Sequence, residues 1–335
     1  MSEFRVRAIR GDIEEAEHGV SVAVVEVNRD GSVHGRRNFG REWPSVSLRS
    51  AAKPFQAFQV FDGAASRYAI TPREIALICS SHNSQHDQVA GVRELLARTG
   101  LSESDLVCGP HRSLIKEAGI IVSNPAPDPP LEKPSSLASN CSGKHTGMLA
   151  VALAAQYPST GYHKLGHPVQ SGVGRILERM SGIPGSDLTH GVDGCGVVCW
   201  AMPLEGLALA YARLCVAGEP QQAIVGAMTS HPDFVAGARR TCTAVMQAFP
   251  GEIIAKFGAC GVYGAAFPEQ RIGLALKIHD GSGPATTAAL LAVIDQLQLL
   301  PNAMATLPDY AEPRILNTRR EVVGKYEAVG ELLLR

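Results

Sequence analysis

Ser50 and Lys53 stand three residues apart in the stretch SLRSAAKPFQ, residues 47–56, and two later pieces carry matching chemistry: Ser81-His82-Asn83 and Lys256-Phe257-Gly258. A serine hydroxyl is a weak nucleophile at neutral pH and attacks a carbonyl only with a base within about 3 Å. A lysine amine can be that base once its pKa falls from about 10.4 to near 7, a change worth about 4 kcal/mol that desolvation and a neighbouring cation can supply. A second lysine provides the cation, and a serine between two lysines can relay a proton. Each piece alone has a plain reading: Ser50 as a helix N-cap, Ser81 to Asn83 as a helix end, Lys256 as a solvated lysine before a glycine turn. Their order along one chain points to Ser-Lys acyl transfer. Ser50 is the better nucleophile because Ser47, six residues from Lys53, falls on another helical face.

A second constellation is independent of the first. Asn140-Cys141-Ser142-Gly143-Lys144-His145 opens a helical pattern, and Asp193-Gly194-Cys195-Gly196 interrupts a strand-like one. Two thiols with His145, Lys144 and Asp193 beside them form a soft-to-borderline donor set suited to zinc. The spacing matches no standard zinc ribbon, and two unpaired buried cysteines are the alternative.

Composition narrows the partner. Thirty-one basic and thirty-two acidic residues leave a formal charge of −1 on 335 residues, and no basic run interleaved with aromatics occurs. Nucleic acid and anionic membranes are therefore excluded, and a small molecule is expected. MSEFRVRAIRGDIEEAEHG lacks the apolar centre of a signal peptide, and runs such as TGMLAVALAAQY are too short to cross a bilayer, so a cytoplasmic protein is expected. The eight scattered cysteines then read as free thiols or metal ligands.

The elements that must position these residues follow from local pattern. VSVAVVEVNRDGSVHGR, residues 20–36, reads as a hairpin about Asp30-Gly31. A helix is expected over about 51–61, and another over TPREIALIC with Thr71 as cap, Pro72 in the first turn and Glu74 completing a capping box. The Pro-rich stretch 123–136 reads as a linker or surface loop. Helices are expected at about 144–156, 166–181, 203–217, 219–229 and 232–247, with THGVDGCGVVCW as a strand among them. RIGLALKIHDGSG reads as a late buried strand ending in a turn, and PATTAALLAVIDQLQ as the closing helix. The expected fold is an α/β (α+β) sandwich, one catalytic unit over 1–335, with a mixed sheet formed by N- and C-terminal strands around a helical middle region.

Ser-x-x-Lys, Ser-x-Asn and Lys-x-Gly in that order resemble the serine β-lactamases and penicillin-binding proteins. With NCSGKHTGMLA, SAAKPFQ, SSHN and VDGCGV, most of the chain resembles the rhizobial-type, thermolabile L-asparaginase family, also called asparaginase II. That family has a serine β-lactamase or glutaminase-like fold. The resemblance implies hydrolysis of L-asparagine to L-aspartate and ammonia by two Ser-Lys pairs, Ser50 with Lys53 and Ser81 with Lys256. It implies a zinc held by Cys141, Lys144 and Cys195, and a homodimer. Arg49 and Asp193 become candidates for the substrate's α-carboxylate and α-ammonium, and His82 and Asn83 candidates for further substrate contacts. Two positions depart from the family: SHNSQH stands where Ser-His-x-Gly-Glu is usual, and Cys260 where an acidic residue is usual. Another Ser-Lys acyl hydrolase (glutaminase, β-lactamase or esterase) and a non-catalytic amino-acid-binding protein are the alternative readings.

Overall fold

The computed structural model describes residues 3–111 and 134–334; residues 123–133 of the Pro-rich stretch lie outside them. The organising element is the long strand β2, Ile13–Val27, which follows β1, Arg5–Arg10. Its second half, VSVAVVEV, is β-branched and almost wholly buried, the composition of a strand covered on both faces. At Asp30-Gly31 the chain reverses as expected. Gly31 has φ +81°, and Asp30 Oδ1 accepts the Ser32 N–H at 2.9 Å, delivering β3, Val33–Phe39, back onto β2.

The chain ends meet in this sheet. With β4 at Val46–Ser47, β5 at Thr189–Val192 and β6 at Val198–Met202, the later strands are β7 (Ile254–Gly258), β8 (Val262–Phe267), β9 (Ile272–Ile278), β10 (Arg314–Leu316) and β11 (Val322–Val329). The main sheet runs β10-β11-β1-β2-β9-β8-β7 with β3 added to β2, and β4-β6-β5 form a small second sheet. Every ladder is antiparallel, which corrects the mixed sheet expected from sequence; the one parallel contact among the described residues is an isolated bridge between Glu3 and Glu331. The expected THGVDGCGVVCW strand is a hairpin, β5 and β6, turning at Asp193 to Gly196. Strands β10 and β11 had no clear sequence signal, because their half-exposed residues lack a run of buried alternation.

Helices cover the sheet. The Leu204–Leu214 helix lies across β2, β8 and β9, and the Gly283–Gln296 helix packs on β1, β9 and β11. The Pro72–Ile78 helix carries the expected Thr71–Glu74 capping box. Two expected helices break. The 51–61 helix is a 3-10 turn (Arg49–Ala52), a short α turn (Lys53–Gln56) and a second 3-10 turn (Ala57–Phe61). Pro54 has no N–H to give the Ser50 carbonyl, which accepts from the Lys53 N–H instead. The 232–247 helix splits into Pro232–Val235 and Thr241–Ala248, and Gly237 between them has φ +98°. Among the described residues no helix is long and apolar enough to cross a membrane.

The tightest joint between layers is at Gly273 of β9, where a Cβ would lie 1.9 Å from the Ala208 carbonyl oxygen and 2.3 Å from the Ala212 nitrogen. Backbone cannot yield as a flexible side chain does. Gly273→Ala is expected to lower unfolding free energy by about 3 kcal/mol, read as a drop in urea midpoint; an unchanged midpoint would show that the helix can shift freely.

Candidate active site

The 3-10 turn that starts at Arg49 presents Ser50, half-buried, at the edge of the sheet. Arg49 itself has φ +46°, a left-handed backbone that a residue other than glycine rarely takes. One turn on, Lys53 is 1% exposed; its ammonium donates to Ser81 Oγ at 3.0 Å, to the Asn140 carbonyl at 3.2 Å and to the Ser80 carbonyl. Lys256, fully buried on β7, donates to the same Ser81 Oγ at 2.9 Å and to the Phe257 carbonyl at 3.0 Å. Ser81, Lys53 and Lys256 are thus brought together as one triad. Ser50 stands beside them in the chain, and its hydroxyl makes no hydrogen bond among the described residues; the expected direct Ser50–Lys53 bond is replaced by a Lys53–Ser81 bond.

Because Ser81 Oγ accepts from both lysines, its own proton points elsewhere. Its backbone N–H donates to the Val235 carbonyl at 2.9 Å, the contact that ends the Pro232–Val235 helix. Burial holds both lysines below the ordinary lysine value. Lys144 adds to the depression at Lys53 against the pull of Cys141, while Lys53 and Arg240 bring Lys256 down to about 7 against Cys242. Two ammoniums in one buried space share protons as a pair.

Glycines set how closely these pieces approach. A Cβ on Gly258 would sit 2.9 Å from the Leu48 carbonyl oxygen and 3.2 Å from the Ala51 nitrogen, so the Lys-x-Gly strand lies directly on the Ser50 turn. A Cβ on Gly143 would lie 2.2 Å from the Leu77 carbonyl oxygen, which seats the Ser142–Ala154 helix against the helix leading into Ser81.

The SHNSQH loop is held by its own hydrogen bonds. Ser84 takes φ +67°, a left-handed conformation that glycine adopts most easily, and its Oγ donates to the Ala138 carbonyl at 2.6 Å. Gln85 Oε1 accepts the Ala238 N–H at 2.7 Å, as a carboxylate there would. His82 is fully buried, with Nδ1 accepting the Ser84 N–H at 3.1 Å and Nε2 paired with Ser142 Oγ at 2.8 Å. His82 thus holds the loop, and burial keeps it neutral, at about 3. Asn83 is also buried, its Nδ2 donating to the Ala238 carbonyl at 2.8 Å. Gln88, missed in the sequence, pins the loop by accepting the Asn83 and Gln85 N–H groups at 3.1 and 3.0 Å. Its spacing from Gln85 is that of a capping box, the signal that could have revealed it.

The second constellation also converges. Lys144 Nζ donates to Cys195 Sγ at 3.0 Å in a buried setting, and the free thiols of Cys195 and Cys141 are within hydrogen-bonding reach of one another. That hydrogen bond, with Lys144 nearby, pulls the Cys141 thiol well down, while the same bond and burial push Cys195 up. His145, the other candidate ligand, instead pairs Nδ1 with the Tyr162 hydroxyl at 2.7 Å. Among the described residues no three or more His, Cys, Asp or Glu side chains are arranged to hold a metal; two sulfurs and an amine nonetheless face one another, a donor set that fits zinc once the amine is deprotonated. Beside them Arg49 Nε donates to Asp193 Oδ1 at 2.9 Å, which also accepts the Gly194 N–H at 2.7 Å. Arg49 Nη1 reaches Cys260 Sγ at 3.4 Å. Burial of Asp193 is outweighed by Lys144 and Arg49, which hold its carboxyl below the usual range.

The chain is similar to several solved structures: Mglu in its native form in 4.3 M NaCl (15% identity, 84% of this chain and 60% of that chain, TM-score 0.42), a putative β-lactamase from Bacteroides dorei DSM 17855 (12%, 83% and 93%, 0.41), and the octameric penicillin-binding protein homologue from Pyrococcus abyssi (13%, 95% and 85%, 0.38). It therefore spans about six-tenths of the length of Mglu. No curated protein sequence matches it. The sequence profile of L-asparaginase II matches residues 6–328, which takes in both Ser-Lys pieces, the thiol pair and almost the whole sheet, and the chain belongs to the L-asparaginase II family.

Proposed function

We propose that the protein hydrolyses L-asparagine to L-aspartate and ammonia through an acyl-enzyme on Ser50. The observation that carries this reading is Ser81 Oγ held at 3.0 and 2.9 Å by two buried lysines next to the Ser50 turn. Ser50 Oγ attacks the side-chain amide carbon as Lys53, in its neutral form, takes the hydroxyl proton. The proton passes through Ser81, which Lys256 also holds, and leaves with the departing nitrogen as ammonia. Water then hydrolyses the β-aspartyl ester by the reverse proton path. The Ser50 N–H and a strand N–H beyond Lys256, brought close by Gly258, stabilise the oxyanion.

Recognition of the acyl half falls to Asp193 and Arg49. Their mutual bond uses Asp193 Oδ1 and Arg49 Nε, leaving Asp193 Oδ2 for the α-ammonium and Arg49 Nη2 for the α-carboxylate. The pair is neutral overall, as suits a zwitterion. Cys141, Lys144 and Cys195 would hold a zinc ion, which when bound supplies fixed positive charge at the edge of the pocket. In that role Lys144 would have to give up its proton, and the two sulfurs would stay on the helix and hairpin that carry them.

Ser50→Ala is expected to cut ammonia release from L-asparagine roughly a thousand-fold or more with an unchanged melting temperature; retained turnover would remove Ser50 from the mechanism. A neutral lysine in the pair requires that kcat/KM rise with pH on the acid side of about 7; a flat profile from pH 5 to 8 would contradict it. The same depression acts on stability. Native Lys256 releases its proton near 7, whereas in the unfolded chain a lysine holds it to about 10.4. Across that window the unfolded chain binds more protons, so native stability rises with pH. Lys256→Met is expected to weaken that rise in urea midpoint, and an identical slope would place the depression elsewhere. Protein purified without added metal is expected to contain about one zinc per chain, falling to near zero in Cys141→Ser; a metal-free native protein with full activity would refute the zinc assignment.

A further inference from the structure

Arg240 touches none of the reacting groups in the reaction as written, although its charge helps to depress Lys256. It closes the Ala236–Arg240 break and caps the Thr241–Ala248 helix, whose Cys242 Sγ accepts the Phe257 N–H at 3.1 Å, next to Lys256 on β7. Its Nη1 donates to Asn83 Oδ1 at 3.3 Å, two residues from Ser81. That is the guanidinium's one hydrogen bond among the described residues, and no carboxylate there lies within ion-pair range of it. A half-buried guanidinium stays charged and is costly without a counter-ion. The site therefore has two cationic poles. Arg49 sits with Ser50, Asp193 and the thiols and is neutralised, while Arg240 sits with Asn83 and Lys256 and, among the described residues, is not.

The two poles correspond to the two halves of an amide. Ser81 gives its proton to the departing nitrogen, so whatever that nitrogen carries extends past Ser81 toward Asn83, Lys256 and Arg240. With L-asparagine it carries only hydrogen, and Arg240 meets nothing. We infer that the enzyme also hydrolyses amides whose departing amine bears a carboxylate, β-aspartyl dipeptides, with Arg240 binding the carboxylate of the departing amino acid. The inference rests on the Ser50 and Ser81 roles proposed above. The chemistry balances: the Ser50 Oγ–carbon bond forms as the carbon–nitrogen bond breaks, the nitrogen takes the Ser81 proton and leaves as the free amino acid, and water converts the ester to L-aspartate.

The test compares kcat/KM for L-asparagine, β-aspartylglycine and β-aspartylglycinamide, the last lacking only the carboxylate charge, in native protein, Arg240→Gln and Arg240→Lys. The native enzyme is expected to prefer β-aspartylglycine over its amide by about 10-fold or more. That ratio should fall toward one in Arg240→Gln and be partly kept in Arg240→Lys, which also serves if the glutamine variant does not fold. Because both dipeptides share one acyl half, damage to the Ser-Lys machinery cancels in the ratio. A ratio unchanged in both variants, or a native enzyme that cleaves L-asparagine and neither dipeptide, overturns the inference and leaves the asparaginase reading standing. Cleavage of none of the three overturns both.

Discussion

Two lysine ammoniums buried around a single serine hydroxyl are the constraint that the rest of the structure serves. Taking an ammonium out of water costs several kcal/mol even after relaxation, and two in contact cost more unless one gives up its proton. The protein offsets this with backbone: the Ser80, Asn140 and Phe257 carbonyls accept from the two amines, and Ser81 Oγ accepts from both. These acceptors belong to three separate segments, at residues 80–81, 140 and 257. An error in placing any of them would leave a buried donor without a partner, which is more expensive than never burying it.

Close backbone approach supplies the required placement. Gly258 lets β7 lie on the Ser50 turn, and Gly143 seats the Ser142–Ala154 helix, with its thiol and lysine, against the helix that leads into Ser81. The Ser81 loop is then fastened to the 233–238 segment by Ser81, Asn83, Gln85 and Gln88, through both backbone and side chains. The break in the expected 232–247 helix is the other face of that fastening: the Val235 carbonyl bonds Ser81 instead of continuing its own helix. A local propensity has yielded to a tertiary hydrogen bond at the site, where such conflicts concentrate.

Charge is distributed with the same economy. Arg49 and Asp193 cancel one another beside the thiols, leaving a neutral, polar end suited to a zwitterion. Lys53 and Lys256 share protons in the middle. Arg240 remains charged at the far end, where it also helps to depress Lys256.

The sequence by itself determined the candidate residues and the local elements. Ser-x-x-Lys, Ser-x-Asn and Lys-x-Gly named residues that meet at the site, Thr71-Pro72-Arg73-Glu74 its helix start and Asp30-Gly31 its hairpin, because caps and turns depend on contacts within three or four residues. What only the tertiary structure decided was pairing across distance. Lys53 meets Ser81 across 28 positions and Lys256 meets it across 175, and spacing in the chain says nothing about such contacts. The antiparallel order of the sheet, the turning of His82 into the loop, the choice of Lys144 over His145 at the thiols and the lone charge of Arg240 share that cause. Each depends on which surfaces are brought together when the sheet closes, and a residue type read in isolation does not carry that information.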